Sequence, residues 1–278
     1  MITAATRVAG VIGDPVRHSL SPNLHNAAYR ALELDWVYVA FAVPDGAAAD
    51  ALAAMRAFGL AGLSVTMPHK SAVASLCDTR SPVAAALRSV NTVSPEPDGG
   101  LAGDSTDGAG FLRALADAGA GAAGRRALVL GGGGAARAVA YALAHEGARV
   151  TVAARRAPTA ADAAALADGT AISWDDRADA AAEADLVVNA TPIGMAGDAA
   201  LPLSAEVFGA GHVVVDLVYE PRETPLLSAA RARGARIVPG LGMLVHQAAL
   251  QVERWTGRAA PIDAMRASVE VQVADHDV

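Results

Sequence analysis

Short apolar runs alternate with alanine-rich segments along most of the chain. RVAGVIG (7–13), WVYVAFAV (36–43) and LAGLSVTM (60–67) read as strands. Between them, SPNLHNAAYRALEL (21–34) reads as a helix with Ser21 as N-cap and Pro22 in the first turn. DGAAADALAAMRAFG (45–59) reads as a second helix, closed by Gly59. HKSAVASL (69–76) and SPVAAALRS (81–89) are shorter helices, the latter capped by Ser81, and VNTVSPE (90–96) is a strand running into the turn PEPDGG. A second series begins near Asp107 with helix 107–119. Strands at 127–130, 148–155, 170–174, 185–190, 212–219 and 235–240 follow, with helices at 135–147, 157–168 and 224–234. A long helix, 241–257, comes last. Strands that alternate with helices predict an α/β fold of parallel sheets covered on both faces.

The chain has 278 residues, which suggests about two domains. It is 53% hydrophobic but only 4% aromatic, so the core is expected to be built from Ala, Val and Leu. Net charge is −7 and no basic run stands out, which argues against nucleic acid or an anionic membrane as partner. MITAATRVAGVIGDP lacks the charged start and apolar stretch of a signal peptide, and no apolar run reaches membrane-spanning length, so a cytoplasmic protein is expected. The single cysteine, Cys77, cannot form an internal disulfide. His18, His25 and His69 lack ligand spacing with any Cys or acid cluster, and no metal site is assigned. His276, between two aspartates, reads as part of a solvated tail. Monomer and homodimer both stay open.

ALVLGGGGAARAVAYAL is strand, glycine turn and helix in succession. Gly131, Gly133 and Ala136 fit the dinucleotide fingerprint, with Gly132, Gly134 and Ala135 between them. The first glycine makes the turn, the second lets backbone approach a pyrophosphate, and the small third residue packs helix on strand. The next strand ends in Arg155 and Arg156, where an NAD site offers a carboxylate. Two guanidiniums suit a 2′-phosphate, so NADP is expected over NAD.

The 22 Lys plus Arg include one lysine, Lys70. An ammonium can move a proton near neutral pH and a guanidinium cannot, so a proton-transfer role explains why Arg has not taken this position too. GLSVTMPHK (62–70) places Thr66 and Lys70 just past a strand end, where open parallel sheets bind ligands. In GDPVRHSLSPNLHN, Ser19 and Ser21 flank a helix start and could receive a carboxylate, although a plain cap explains Ser21 equally well. SVNTV offers Asn91, and AGDSTDGAG offers Asp107 where the two series meet.

HSLSPNLHN, GLSVTMPHK, SVNTV, STDGAG, LVLGGGGAAR, NATPIGM and PGLGMLVHQAAL follow in an order that resembles the shikimate dehydrogenases, over nearly the whole chain. The resemblance implies an oxidoreductase of the shikimate pathway, serving chorismate and aromatic amino acid biosynthesis, in which NADPH reversibly reduces 3-dehydroshikimate to shikimate. It implies a substrate domain over 1–106, a Rossmann-type NADP domain over 107–240, and a C-terminal stretch 241–278 that returns to the first. It further implies that Ser19 and Ser21 hold the substrate carboxylate and that Lys70 and Asp107 are the catalytic pair. Thr66, Asn91 and Gln247 would bind ring hydroxyls, and Tyr219 would reach substrate from the nucleotide side. Thr191, Gly240 and Met243 would line the nicotinamide. The chain departs from the family pattern at Ser64, Ser105 and Ala154, where asparagine is usual. An NAD-dependent quinate/shikimate dehydrogenase or an aminoshikimate-type relative is the nearest alternative. A non-catalytic nucleotide- and shikimate-binding sensor is the alternative of another class, against which the retention of both Lys70 and Asp107 speaks.

Overall fold

The computed structural model describes residues 2–275, with side chains as far as Glu270; His276, read as tail, lies outside the described residues. In chain order the first elements are β1 (Arg7–Gly13), α1 (Ser21–Ala31), β2 (Trp36–Ala42), α2 (Ala48–Phe58), β3 (Gly62–Val65), α3 (Lys70–Leu76), β4 (Thr79–Arg80), α4 (Pro82–Leu87), β5 (Thr92–Pro95) and β6 (Leu101–Asp104). Then come α5 (Asp107–Asp117), β7 (Arg126–Leu130), α6 (Gly134–His145), β8 (Arg149–Ala154), α7 (Ala157–Ala165), β9 (Thr170–Ser173), α8 (Arg177–Glu183) and β10 (Leu186–Asn189). The last are β11 (Val213–Asp216), α9 (Pro225–Ala232), β12 (Arg236–Pro239), α10 (Gly240–Thr256) and α11 (Ile262–Asp275). The residues up to Thr106 together with Gln247–Gln272 form one compact unit, and Asp107–His246 form another.

The first unit holds a six-stranded sheet in the order β2-β1-β3-β5-β6-β4. β1 runs parallel to β2 and β3, but β5 is antiparallel to both β3 and β6. This sheet is therefore mixed rather than wholly parallel. The turn after β5 reverses the chain at once, with Glu96 N–H donating to the Gly100 carbonyl at 2.8 Å, and strands joined by a tight turn can only pair antiparallel. Ser21 is the first helical residue of α1, not its cap: Leu20 precedes it in near-helical backbone and caps nothing with its side chain. The Ser19 hydroxyl accepts from Ser21 N–H at 3.3 Å instead. Gly59 closes α2 with φ 63°. Gly62 lets α10 lie close to β3, because a Cβ there would stand 2.3 Å from the Trp255 ring. The Trp255 indole N–H also donates to the Val93 carbonyl at 3.2 Å.

The second unit holds an all-parallel sheet in the order β12-β11-β10-β7-β8-β9. Its core is built largely from alanine, valine and leucine, among them Val129, Val139, Ala140, Leu143 and Val152, with Phe111 in one cluster and Phe208 in another. Small side chains let helices approach closely: a Cβ at Gly108 of α5 would meet the Ala138 carbonyl of α6 at 2.9 Å. β7 lies between β8 and β10, so the strand order reverses beside it, and ligands of open α/β sheets sit at such a switch point.

Candidate active site

Register brings the candidate residues of each unit to one edge of its sheet. In the first unit Ile12 pairs with Val65, so the segments that carry Ser19 and Thr66 leave neighbouring parallel strands at the same end. β5 runs the other way and Ser64 pairs with Thr92, so Asn91 reaches this end too, its carbonyl accepting from Val65 N–H at 2.8 Å. Thr66 N–H donates to the Ile12 carbonyl at 3.0 Å, and His69 N–H to the Thr66 carbonyl at 3.0 Å, which turns the chain into α3. His69 is buried and its Nε2 donates to the Val43 carbonyl at 2.8 Å. Lys70 opens α3, half-buried, and its carbonyl accepts from Val90 N–H at 3.0 Å, next to Asn91 in sequence. Ser19 is half-buried and Ser21 buried at the start of α1, whose first turn carries no side-chain cap. The helix start and the two hydroxyls suit an anion such as a carboxylate. Gln247 lies half-buried on α10 in this same unit.

The Asn91 carboxamide is held on two sides. Its Oδ1 accepts from Thr106 N–H at 2.9 Å and from the Thr92 hydroxyl at 2.7 Å, and its Nδ2 donates to Thr106 Oγ1 at 3.0 Å. Ser64 is buried; its hydroxyl takes a proton from Tyr38 and gives its own to Gln251. Ser105 is buried, and its N–H donates to Asp104 Oδ1 at 2.8 Å.

In the second unit Leu130 pairs with Ala153 and Asn189, Asn189 with Asp216, and Asp216 with Pro239. The loops after β7, β8, β10, β11 and β12 therefore leave from one edge. They carry Gly131–Gly134, Arg155 and Arg156, Thr191, Tyr219 and Gly240 in that order. Gly131 has φ 116° and a Cβ on it would stand 2.9 Å from the Ala190 carbonyl, while a Cβ on Gly132 would stand 2.6 Å from the Thr159 carbonyl. Gly133 and Gly134 face open space, and α6 starts from Gly133 without a side-chain cap. Uncapped N–H groups above a space no side chain fills are what a pyrophosphate needs, so these residues fit a dinucleotide. Ala135 and Ala136 continue the first turn, Ala136 fully buried in the core. Arg155 and Arg156 are exposed where β8 ends, while Ala154 beside them is buried in the core.

A buried network shapes this edge. Asn189 Nδ2 donates to Asp216 Oδ1 at 2.9 Å, and its Oδ1 accepts from the Thr191 hydroxyl at 2.6 Å. Asp216 also accepts from the Thr224 hydroxyl at 2.6 Å and from Val218 N–H at 3.0 Å, which fixes the backbone leading to Tyr219. Burial pushes the Asp216 carboxyl above its usual range against the pull of these donors. Tyr219 is half-buried, and burial pushes its hydroxyl pKa up as well. Gly240 packs against the Leu217 carbonyl, 2.6 Å from where its Cβ would be, and Met243 packs on the core. Asp107 is buried at the first turn of α5, where a helix N-terminus favours a carboxylate. Asn189 opens the NATPIGM motif, whereas Asp216, Thr224, Tyr38 and Gln251 carry no motif of their own and were not singled out from the sequence. Only Gln251 left a trace, four residues past Gln247 and thus on the same face of its helix. Among the described residues no group of three or more His, Cys, Asp or Glu could hold a metal ion, and no helix is long and apolar enough to cross a membrane.

Residues 11–93 match the family described as the shikimate dehydrogenase substrate binding domain, and residues 240–270 the shikimate 5'-dehydrogenase C-terminal domain. Residues 126–219 match the family described as NADP oxidoreductase coenzyme F420-dependent. The chain is 46% identical to shikimate dehydrogenase (NADP(+)) of Moorella thermoacetica over 275 residues, 95% of this chain and 92% of that one. Among solved structures it resembles a shikimate dehydrogenase in complex with NADP+, with TM-score 0.92, 35% identity and 98% of each chain covered. It also resembles shikimate 5-dehydrogenase from Thermus thermophilus in complex with NADP(H) and shikimate, with TM-score 0.89, 38% identity, and 95% and 99% of the two chains covered. With this identity sustained from one end to the other, the chain belongs to the shikimate dehydrogenase family.

Proposed function

We propose that this protein catalyses the reversible, NADPH-dependent reduction of 3-dehydroshikimate to shikimate in the cytoplasm. The observation that carries the reading is the lone lysine, Lys70, at the strand-end edge of the first unit, in a chain whose second unit presents an uncapped glycine turn followed by two arginines. We assign substrate to the first unit and cofactor to the second.

Gly131–Ala136 would hold the pyrophosphate, Arg155 and Arg156 the 2′-phosphate, and Thr191, Gly240 and Met243 the nicotinamide end. Bound NADPH supplies the hydride. The Lys70 ammonium donates a proton to the substrate oxygen as the carbonyl becomes a hydroxyl, and its charge stabilises the oxyanion character that develops on the way. Asp107 is the second member of the catalytic pair and acts on the same substrate oxygen. Ser19, Ser21 and the first turn of α1 receive the substrate carboxylate. Thr66, Asn91 and Gln247 bind ring hydroxyls, and Tyr219 is a further candidate substrate ligand.

The test offers shikimate and quinate, each with NADP⁺ and NAD⁺, to the purified protein and follows reduced cofactor by absorbance. Turnover of shikimate with NADP⁺, and at most weakly in the other three pairs, is expected. Preference for quinate with NAD⁺ would overturn the reading of the arginines, and no turnover in any pair would overturn the assignment of an enzyme.

A further inference from the structure

One chain of hydrogen bonds runs beneath the substrate-side edge of the first unit and ends on Asn91. The Tyr38 hydroxyl donates to Ser64 Oγ at 2.6 Å, and Ser64 Oγ donates to Gln251 Oε1 at 2.8 Å. Gln251 Nε2 donates to Thr92 Oγ1 at 3.0 Å and to the Asn91 carbonyl at 3.3 Å. Thr92 Oγ1 in turn donates to Asn91 Oδ1 at 2.7 Å. Tyr38, Ser64, Asn91, Thr92 and Gln251 are all buried, with Gln251 only 1% exposed, so water cannot stand in for a missing partner.

The proton inventory gives this chain one direction. A hydroxyl has one proton to give. Tyr38 gives its proton to Ser64, so Ser64 gives its own to Gln251, and only the carbonyl end of that carboxamide can accept it. The amide end of Gln251 therefore faces β5. Thr92 accepts from it and passes its own proton to Asn91. An acceptor is thereby demanded of Asn91 at this point, the same end that Thr106 N–H holds at 2.9 Å, so the two donors together fix which end of its carboxamide turns inward and which end is presented as a donor. Flipping Asn91 would set two donors against each other in a buried site.

We infer that Gln251 is a positioning residue. Alongside Thr106 N–H, it holds the orientation of the Asn91 carboxamide through Thr92, and with it the donor that meets a ring hydroxyl of the substrate. The inference rests on the reading of Asn91 given under Proposed function. Gln251 also lies four residues beyond Gln247, so the same anchor fixes the helix face that carries the second hydroxyl ligand. Ser64 belongs to the device: a side chain this short leaves space between β3 and α10, and the Gln251 carboxamide fills it.

The experiment is steady-state shikimate oxidation by the full-length protein and its Gln251→Leu variant, which keeps volume and removes both polar ends. The shikimate KM is expected to rise about tenfold, the equivalent of 1.4 kcal/mol. The kcat is expected to stay within about threefold and the NADP⁺ KM to stay unchanged, a split that simple loss of fold stability does not produce. In an Asn91→Ala background, adding Gln251→Leu should change the shikimate KM less than about twofold, because the residue through which it acts is gone. A wild-type shikimate KM in an active Gln251→Leu enzyme would overturn the inference, as would a full tenfold effect in the Asn91→Ala background. If Gln251→Leu does not fold, Ser64→Ala breaks the same chain from its other end, and an unchanged KM there is equally fatal. A wild-type protein inactive on shikimate would instead sink the functional reading itself.

Discussion

His25 lies fully buried on α1, stacked on Tyr38 with ring centroids 4.0 Å apart and 5.5 Å from the Trp255 ring. Its Nδ1 donates to the Ser21 carbonyl at 2.9 Å, which fixes the neutral tautomer, and its Nε2 has no hydrogen-bond partner. Burial holds the pKa down at about 4, against the opposing pull of the Ser21 carbonyl and the Gln251 side chain. In the unfolded chain the imidazole titrates near ~6.5. The native state stays neutral where the unfolded state takes up a proton, so stability is full above pH 6.5 and falls as pH drops towards 4. At about 1.36 kcal/mol per pH unit, this one residue costs the first unit about 2 kcal/mol between pH 7 and pH 5. The assay is urea denaturation at pH 7, 6 and 5, followed by tryptophan fluorescence, because Trp36 and Trp255 both report on the first unit. His25→Phe keeps an aromatic ring against Tyr38 and removes the titration. Wild type should lose about 2 kcal/mol more than the variant across this range. Parallel pH dependences, or a His25 imidazole that titrates near 6.5 by NMR, would refute the reasoning.

Other consequences are equally concrete. Arg155→Ala removes a guanidinium from the end of β8, and the NADP⁺ KM should rise about tenfold to a hundredfold while the NAD⁺ KM hardly moves. Equal changes for both cofactors would mean that the side chain does not read the 2′-phosphate. Gly62→Ala would place a Cβ 2.3 Å from the rigid Trp255 ring, and the first unit should lose about 2 kcal/mol or more in denaturant titrations followed by Trp255 emission. An unchanged midpoint would show that α10 can back away from β3 at no cost.

The inner strands of the second unit, β7, β10 and β11, were legible because each is a short, nearly continuous apolar run, which is what a parallel sheet covered on both faces requires. The glycine turn was legible because the chemistry demands those residue types immediately after a strand. β4 was not, since Thr79–Arg80 is two exposed polar residues whose only strand character is their pairing with β6. β6 and α8 are short, and α11 carries no clean apolar stripe, so none of them rises above its surroundings in sequence. The N-cap was misplaced on Ser21 because a serine before proline is a cap signal, yet here Leu20 already holds near-helical backbone and Ser19 answers Ser21 from one step earlier. Lys70 stood out by being alone. Gln251 could not, because its role comes from folding alone: it meets Ser64 across 187 residues. Asp216 likewise acquires meaning only when its strand is set beside Asn189, 2.9 Å away.

The account turns on Lys70 as the group that gives up and takes back a proton. The most direct test is the kcat for shikimate oxidation with saturating NADP⁺ by Lys70→Arg, which keeps the charge and removes the readily transferred proton. A fall of about a hundredfold to ten-thousandfold is expected, the range general acid–base catalysis contributes, with the fold intact by circular dichroism. A kcat within about tenfold of wild type would contradict the assignment and reduce Lys70 to a charge that any cation could supply.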